Sequence, residues 1–228
     1  MSDHLNIVRI KAVYAALEEL GDQVVFVGGA TVSLYADRET EEARPTDDVD
    51  ILVELTSYHE YASIEEKLRQ KGFVNDIESK IVCRYKVQGI VVDVMPTDEK
   101  ILGFSNRWYS KGVQHVTVVD LNGGTSVKIF TSPYFLASKL EAFKNRGNND
   151  GRWSTDFEDI VYLLNNRSSI WHEIEISETA VKTFLLDEFR TLLKNAYLDE
   201  WVGCHLEYNQ QDRIGYIRKS MTDLVNIV

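Results

Sequence analysis

Val24-Val25-Phe26-Val27 is an unbroken apolar run closed by Gly28-Gly29, and Ala30 to Ala36 then reads as the start of a helix. A short apolar run of this kind is the pattern of a buried strand. Glycines at the strand-to-helix junction let backbone N–H groups approach a ligand closely, and the helix N-terminus beyond them favours an anion such as phosphate. The same pair also serves a plain turn, so it needs company before it means chemistry.

The company lies downstream. In Arg44-Pro45-Thr46-Asp47-Asp48-Val49-Asp50-Ile51-Leu52, the apolar residues Val49, Ile51 and Val53 alternate with Asp48, Asp50 and Leu52, which reads as a second strand. Asp48 and Asp50 then share one face, roughly 6–7 Å apart at Cα. Alone, that pair is also what a solvated strand face looks like. Val91-Val92-Asp93-Val94-Met95 adds one carboxylate inside an apolar strand, where it needs a partner. A strand end or a salt bridge would account for Asp93 by itself. The order of glycine pair, Asp-x-Asp and lone Asp points instead to three carboxylates on adjacent strands. Such a set suits Mg²⁺, with Mn²⁺ as the alternative, because hard cations take oxygen ligands and keep positions open for phosphate. Two ions about 3.5–4 Å apart could activate a hydroxyl and stabilise a leaving pyrophosphate.

Around this set the pattern predicts a helix over Leu5 to Leu20, a helix over Tyr58 to Lys71, and strands over Val82 to Val87 and Ile90 to Met95 joined by a turn at Gln88-Gly89. A further strand pair, Val116 to Val119 and Val127 to Phe130, flanks Asn122-Gly123-Gly124. After Thr131 the texture becomes helical: one helix from Pro133, then Asp156 to Leu164, Glu178 to Leu198 and Ile214 to Val228. The expected class is α+β, a mixed sheet with helices over 1–130 followed by a helical region over 131–228.

With 228 residues the chain fits one large domain or two small ones. Its net charge of −11 argues against a general nucleic-acid coat or a polybasic membrane binder, though not against a local basic groove. Cys83 and Cys204 make no disulfide framework, and no apolar run approaches the ~18 residues that span a bilayer. The expectation is a soluble, cytoplasmic protein with no membrane partner. The scattered histidines show no zinc spacing, and the four tryptophans read as core or interdomain anchors.

The strand–Gly-Gly–Asp-x-Asp–Asp order resembles the DNA polymerase β-type nucleotidyltransferase superfamily. Within it, Arg44-x-Thr46-x-Asp48-x-Asp50 resembles the AbiEii/MenT-type toxin nucleotidyltransferases and is also similar to small antibiotic nucleotidyltransferases. The resemblance covers roughly residues 20–165. It implies Asp48, Asp50 and Asp93 as metal ligands and catalytic carboxylates. Gly28, Gly29, Thr31, Arg44 and Thr46 would then hold the nucleotide. Lys139 would contact the triphosphate, and Asp156 would be a supporting carboxylate; a surface lysine and a helix cap are the plain alternatives for these two. The implied activity is transfer of NMP from an NTP such as ATP to a hydroxyl, RNA at a tRNA 3′ end, in a toxin–antitoxin setting with a cognate antitoxin protein. One rival swaps the acceptor for a small molecule such as an antibiotic. Another, of a different class, is a non-catalytic binding or antitoxin partner with the same fold. An RNA acceptor asks for a basic strip, for which Arg44, Lys80, Arg84, Lys86, Lys144, Arg146 and Arg152 are the candidates.

Overall fold

The computed structural model describes residues 2–38, 43–55, 57–103 and 105–227. The chain forms two units, Met1–Leu34 with Glu42–Thr131, and Tyr35–Glu41 with Ser132–Val228. Part of the charged stretch Asp37 to Pro45 lies outside the described residues.

In the first unit, α1 (Ser2–Leu17) runs into a short 3₁₀ turn, Glu18–Gln23, and then β1 (Val24–Val27). The segment after the glycine pair is also 3₁₀, Gly29–Tyr35, where an α-helix start was expected. β2 (Asp48–Val53), α2 (Tyr58–Gln70) and the two-residue β3 (Val74–Asn75) follow. Ser57 caps α2 by accepting from Glu60 N–H at 3.3 Å. The hairpin of β4 (Arg84–Val87) and β5 (Ile90–Pro96) turns at Gln88-Gly89, both with positive φ (50° and 80°), as a two-residue turn matched to strand twist requires. Two short helices, α3 (Glu99–Leu102) and α4 (Tyr109–Gly112), precede the second hairpin, β6 (Val116–Asp120) with β7 (Ser126–Phe130).

These strands make one mixed sheet in the order β3-β4-β5-β2-β1-β7-β6. β2 runs parallel to β5 and β1 parallel to β7; the other neighbours are antiparallel. Register puts Val24, Phe26, Ile51, Val53 and Val94 on one face. Leu17 of α1 and Ile64 and Leu68 of α2 meet that face, lining an apolar hollow with Val24, Ile51, Val53 and Val94. The opposite face carries the charged residues.

The second unit is helical: α5 (Ser132–Arg146), α6 (Thr155–Asn166), α7 (Ile170–Glu175), α8 (Thr179–Leu193), α9 (Leu198–Cys204) and α10 (Arg213–Ile227). Phe143, Phe157 and Trp201 pack as a triangle, with ring centroids 5.0, 5.9 and 5.6 Å apart. Two sequence expectations are corrected in this unit. The helix expected from Glu178 to Leu198 is broken after Leu193, because Asn195 Oδ1 accepts from Tyr197 N–H at 2.8 Å and turns the chain. Trp153 is 86% exposed and anchors no core, whereas Trp201 does. The segment from Tyr35 also belongs to this unit. Tyr35 stacks on Phe135 at 4.6 Å, Asp37 N–H donates to Asn166 O at 3.0 Å, and Arg38 donates to Asn165 O at 3.0 Å. Among the described residues no helix is long and apolar enough to cross a membrane.

Candidate functional site

Strand register gathers the acidic residues. Asp50 pairs with Asp93 across the parallel strands β2 and β5, and Asp48 lies two residues from Asp50 on the same face. Arg84 on β4 sits directly opposite Asp93. Its guanidinium grips Asp93 with both arms, Nε to Oδ1 at 2.8 Å and Nη2 to Oδ2 at 2.7 Å, and Nη2 also donates to Asp48 Oδ2 at 3.1 Å. Bidentate pairing of this kind is the stronger class of ion pair. The hydrogen bonds to Asp93, with the fields of Asp93, Asp48 and Asp50, hold Arg84 firmly charged against its partial burial. Beside it, burial pushes the Cys83 thiol up to about 11, and the Asp93 and Asp50 charges add to the rise, so this sulfur stays protonated.

The glycine pair faces the same chemistry. A Cβ at Gly28 would stand 2.8 Å from Asp50 Cγ, and one at Gly29 would stand 3.2 Å from Arg44 Cζ and 3.0 Å from Thr46 Cγ2. Asp50 and Arg44 therefore lie against the bare backbone of the turn, in space that only glycine leaves open. Thr46 is buried, with Oγ1 donating to Asp48 O at 3.0 Å. Asn6 of α1, which the motif gave no reason to single out, is completely buried and fixes this loop. Its Nδ2 donates to Arg44 O at 3.1 Å and its Oδ1 accepts from Thr46 N–H at 3.1 Å. Thr31 needs correction as a phosphate contact. It is completely buried, and its hydroxyl donates to Gly28 O at 2.9 Å, so it braces the turn.

The second unit holds its own charge cluster. Lys139 on α5 is 5% exposed, which removes the surface-lysine alternative. Its Nζ lies 3.2 Å from Asp156 Oδ1 and 2.6 Å from Asp159 Oδ2. Arg146, two turns further along α5, clasps Asp156 through Nε to Oδ2 at 2.6 Å and Nη2 to Oδ1 at 2.8 Å. Burial pushes the Asp156 carboxyl up, but the Arg146 and Lys139 charges and hydrogen bonds outweigh it, and the net shift is downward. The cap of α6 is Ser154, which accepts from Phe157 N–H at 3.3 Å, so Asp156 is not a cap. Two cations and two carboxylates thus form a charge-balanced tetrad.

A model of one family, the nucleotidyl transferase AbiEii toxin of type IV toxin–antitoxin systems, matches residues 11–201. The chain belongs to this family. The match takes in both units and ends before α10. No curated protein matches the chain. The strand face has the donor chemistry that a divalent ion asks for, hard carboxylate oxygens on neighbouring strands, and two of the three carboxylates, Asp48 and Asp93, already hold a cation in the form of Arg84. Among the described residues, however, no three His, Cys, Asp or Glu side chains are gathered closely enough to hold a metal. The candidate basic strip is also largely committed within the AbiEii-type chain. Lys86 pairs with Asp76, Lys144 with Glu188, Arg146 with Asp156, and Arg152 with Asp150 and Glu200.

Proposed function

We propose that this AbiEii-family protein transfers a nucleoside monophosphate from an NTP to a hydroxyl of RNA, a tRNA 3′ end, and releases pyrophosphate, with a cognate antitoxin protein as its partner. The observation that carries the reading is the acidic face: Asp48, Asp50 and Asp93 on adjacent strands beside the Gly28-Gly29 turn. These three side chains would hold Mg²⁺ or Mn²⁺, which when bound supplies Lewis-acid activation of the hydroxyl and neutralises the leaving group. Asp93 is assigned to the hydroxyl side of the reaction, as a metal ligand or as the base. The backbone of Gly28 and Gly29 accommodates the phosphates, with Arg44 adding positive charge and Thr46 fixing the loop. Lys139, braced by Asp156, is assigned to the triphosphate on the strength of the family resemblance.

A small-molecule acceptor is the second reading, and two observations favour it: the net charge of −11, and the internal pairing of Lys86, Lys144, Arg146 and Arg152. One preparation offered labelled NTPs and Mg²⁺ with total RNA and with an aminoglycoside panel decides between them. The expected result is label on a discrete tRNA-sized band, absent for Asp50→Asn although that variant keeps its fold. Label confined to small molecules overturns the RNA acceptor, and wild-type turnover by Asp50→Asn overturns the carboxylate assignment.

A further inference from the structure

We propose that Arg84 is an internal cation that keeps the acidic site closed to the divalent ion and must be displaced before the ion binds. The inference rests on the metal reading above and adds a residue that controls it. The two-residue turn at Gln88-Gly89 fixes the register of the β4–β5 hairpin, so Arg84 has to face Asp93. Both Asp93 oxygens receive an N–H from the one guanidinium, and the Nη2 that serves Asp93 Oδ2 also serves Asp48 Oδ2. One positive group therefore bridges two of the three proposed ligands. It holds them at N–O distances of 2.7–3.1 Å, whereas a magnesium ion demands oxygens at about 2.0–2.1 Å. The same oxygens cannot draw in around a divalent ion while a fixed charge of the same sign stands among them. Among the described residues no three carboxylates form a metal-holding group, and Arg84 stands between two of the three that strand register brings onto one face. The Arg84 side chain is 22% exposed, so its long stem has solvent to swing into. Binding of the ion is then a competition, and its apparent affinity is lowered by the fraction of molecules in which Arg84 is engaged.

The test is an electron paramagnetic resonance titration of Mn²⁺ into the full chain, which needs no turnover. Wild type, Arg84→Met and Asp50→Asn are compared, with folding checked by circular dichroism. Arg84→Met keeps the length and removes the charge, and it should lower the Mn²⁺ dissociation constant by about tenfold or more, with Asp50→Asn binding weakest. Unchanged or weaker binding by Arg84→Met, with wild-type binding that Asp50→Asn abolishes, overturns the gate and leaves the metal site standing. Binding by neither wild type nor Arg84→Met overturns both. If the Met variant loses its fold, Arg84→Lys serves in its place, because a single ammonium cannot span both carboxylates in the same way. Tighter binding supports the gate, and unchanged or weaker binding overturns it.

Discussion

A methyl group at Gly28 would stand 2.8 Å from Asp50 Cγ and 3.0 Å from Asp50 Cβ, so the whole carboxylate would have to move. The φ of +72° at this position adds the left-handed penalty, about 1–2 kcal/mol for a residue with a side chain. Gly28→Ala is therefore expected to lower thermal stability by at least that amount and to weaken Mn²⁺ binding. Gly29→Ala should cost less, because Gly29 has no positive φ and the nearest atoms to its added methyl include the far end of the flexible Arg44 side chain. Melting curves and Mn²⁺ titrations of the two variants check this, and wild-type values for Gly28→Ala would show that Asp50 is not held against the turn. At this scale the sequence was informative about charged residues and silent about their supports. The spacing of Asp48, Asp50 and Asp93 was readable because period two puts residues on a face. Asn6 was not, because a lone Asn in an amphipathic helix has no spacing that ties it to a loop at Arg44 to Thr46. Arg84 lies between these cases. Counting outward from the Gln88-Gly89 turn pairs 87 with 90 and hence 84 with 93, so its partnership with Asp93 was open to anyone who trusted the hairpin.

Helices α5 and α6 are joined by their apolar faces and by the Lys139–Arg146–Asp156–Asp159 tetrad. Asp156 and Asp159 are almost completely buried, so removing a cation strands a charge in a poor solvent. Lys139→Met should destabilise by about 3–5 kcal/mol, the range for breaking a buried pair from one side. Adding Asp159→Asn to it should restore part of that loss, and chemical denaturation of the four proteins in the cycle measures the coupling. Additive losses would show that Lys139 and Asp159 do not act as a pair. The pH dependence has a definite sign. Asp156 titrates below its ordinary value of 3.8 in the folded chain, so its contribution is present above that value and disappears as pH falls through the lowered one. Arg146→Met removes one of the depressing charges and should move the acid-unfolding midpoint to higher pH. The elements themselves were legible where they were long, periodic, or an unbroken apolar run closed by glycines: β1, β2, the β4–β5 hairpin, α2, α5 and α6. Those that escaped were short. α7 spans Ile170–Glu175 and β3 only Val74–Asn75, too few residues for a period to declare itself. Apolar periodicity continues from Leu193 to Leu198, but the Asn195 side chain competes with the helix for backbone donors and ends it.

Over the whole molecule the 25 Lys and Arg residues face 36 Asp and Glu, and many of the cations are occupied by carboxylates of the same chain. Beyond the candidate strip, Lys71 holds Glu18 and Glu19, Arg167 holds Glu173, Arg190 holds Asp187 and Arg218 holds Asp199. Exposed pairs of this kind are worth little to stability, but each cation so held is less available to a phosphate. An RNA that binds this surface should therefore neutralise few phosphates on cationic side chains. Each such contact contributes about −0.7 to the slope of log affinity against log salt for single strands, so two or three contacts give a slope of about −2 or shallower. Filter binding of a tRNA-sized RNA between 50 and 200 mM salt, values chosen to span about the usual test range, measures that slope. A slope near −5 would mean that arginines such as Arg146 and Arg152 leave Asp156 and Asp150 for the nucleic acid. Charge reversal of Arg146 would then abolish binding. With a shallow slope the same reversal acts on folding, through the Asp156 pair, and leaves the binding of the remaining folded fraction close to wild type.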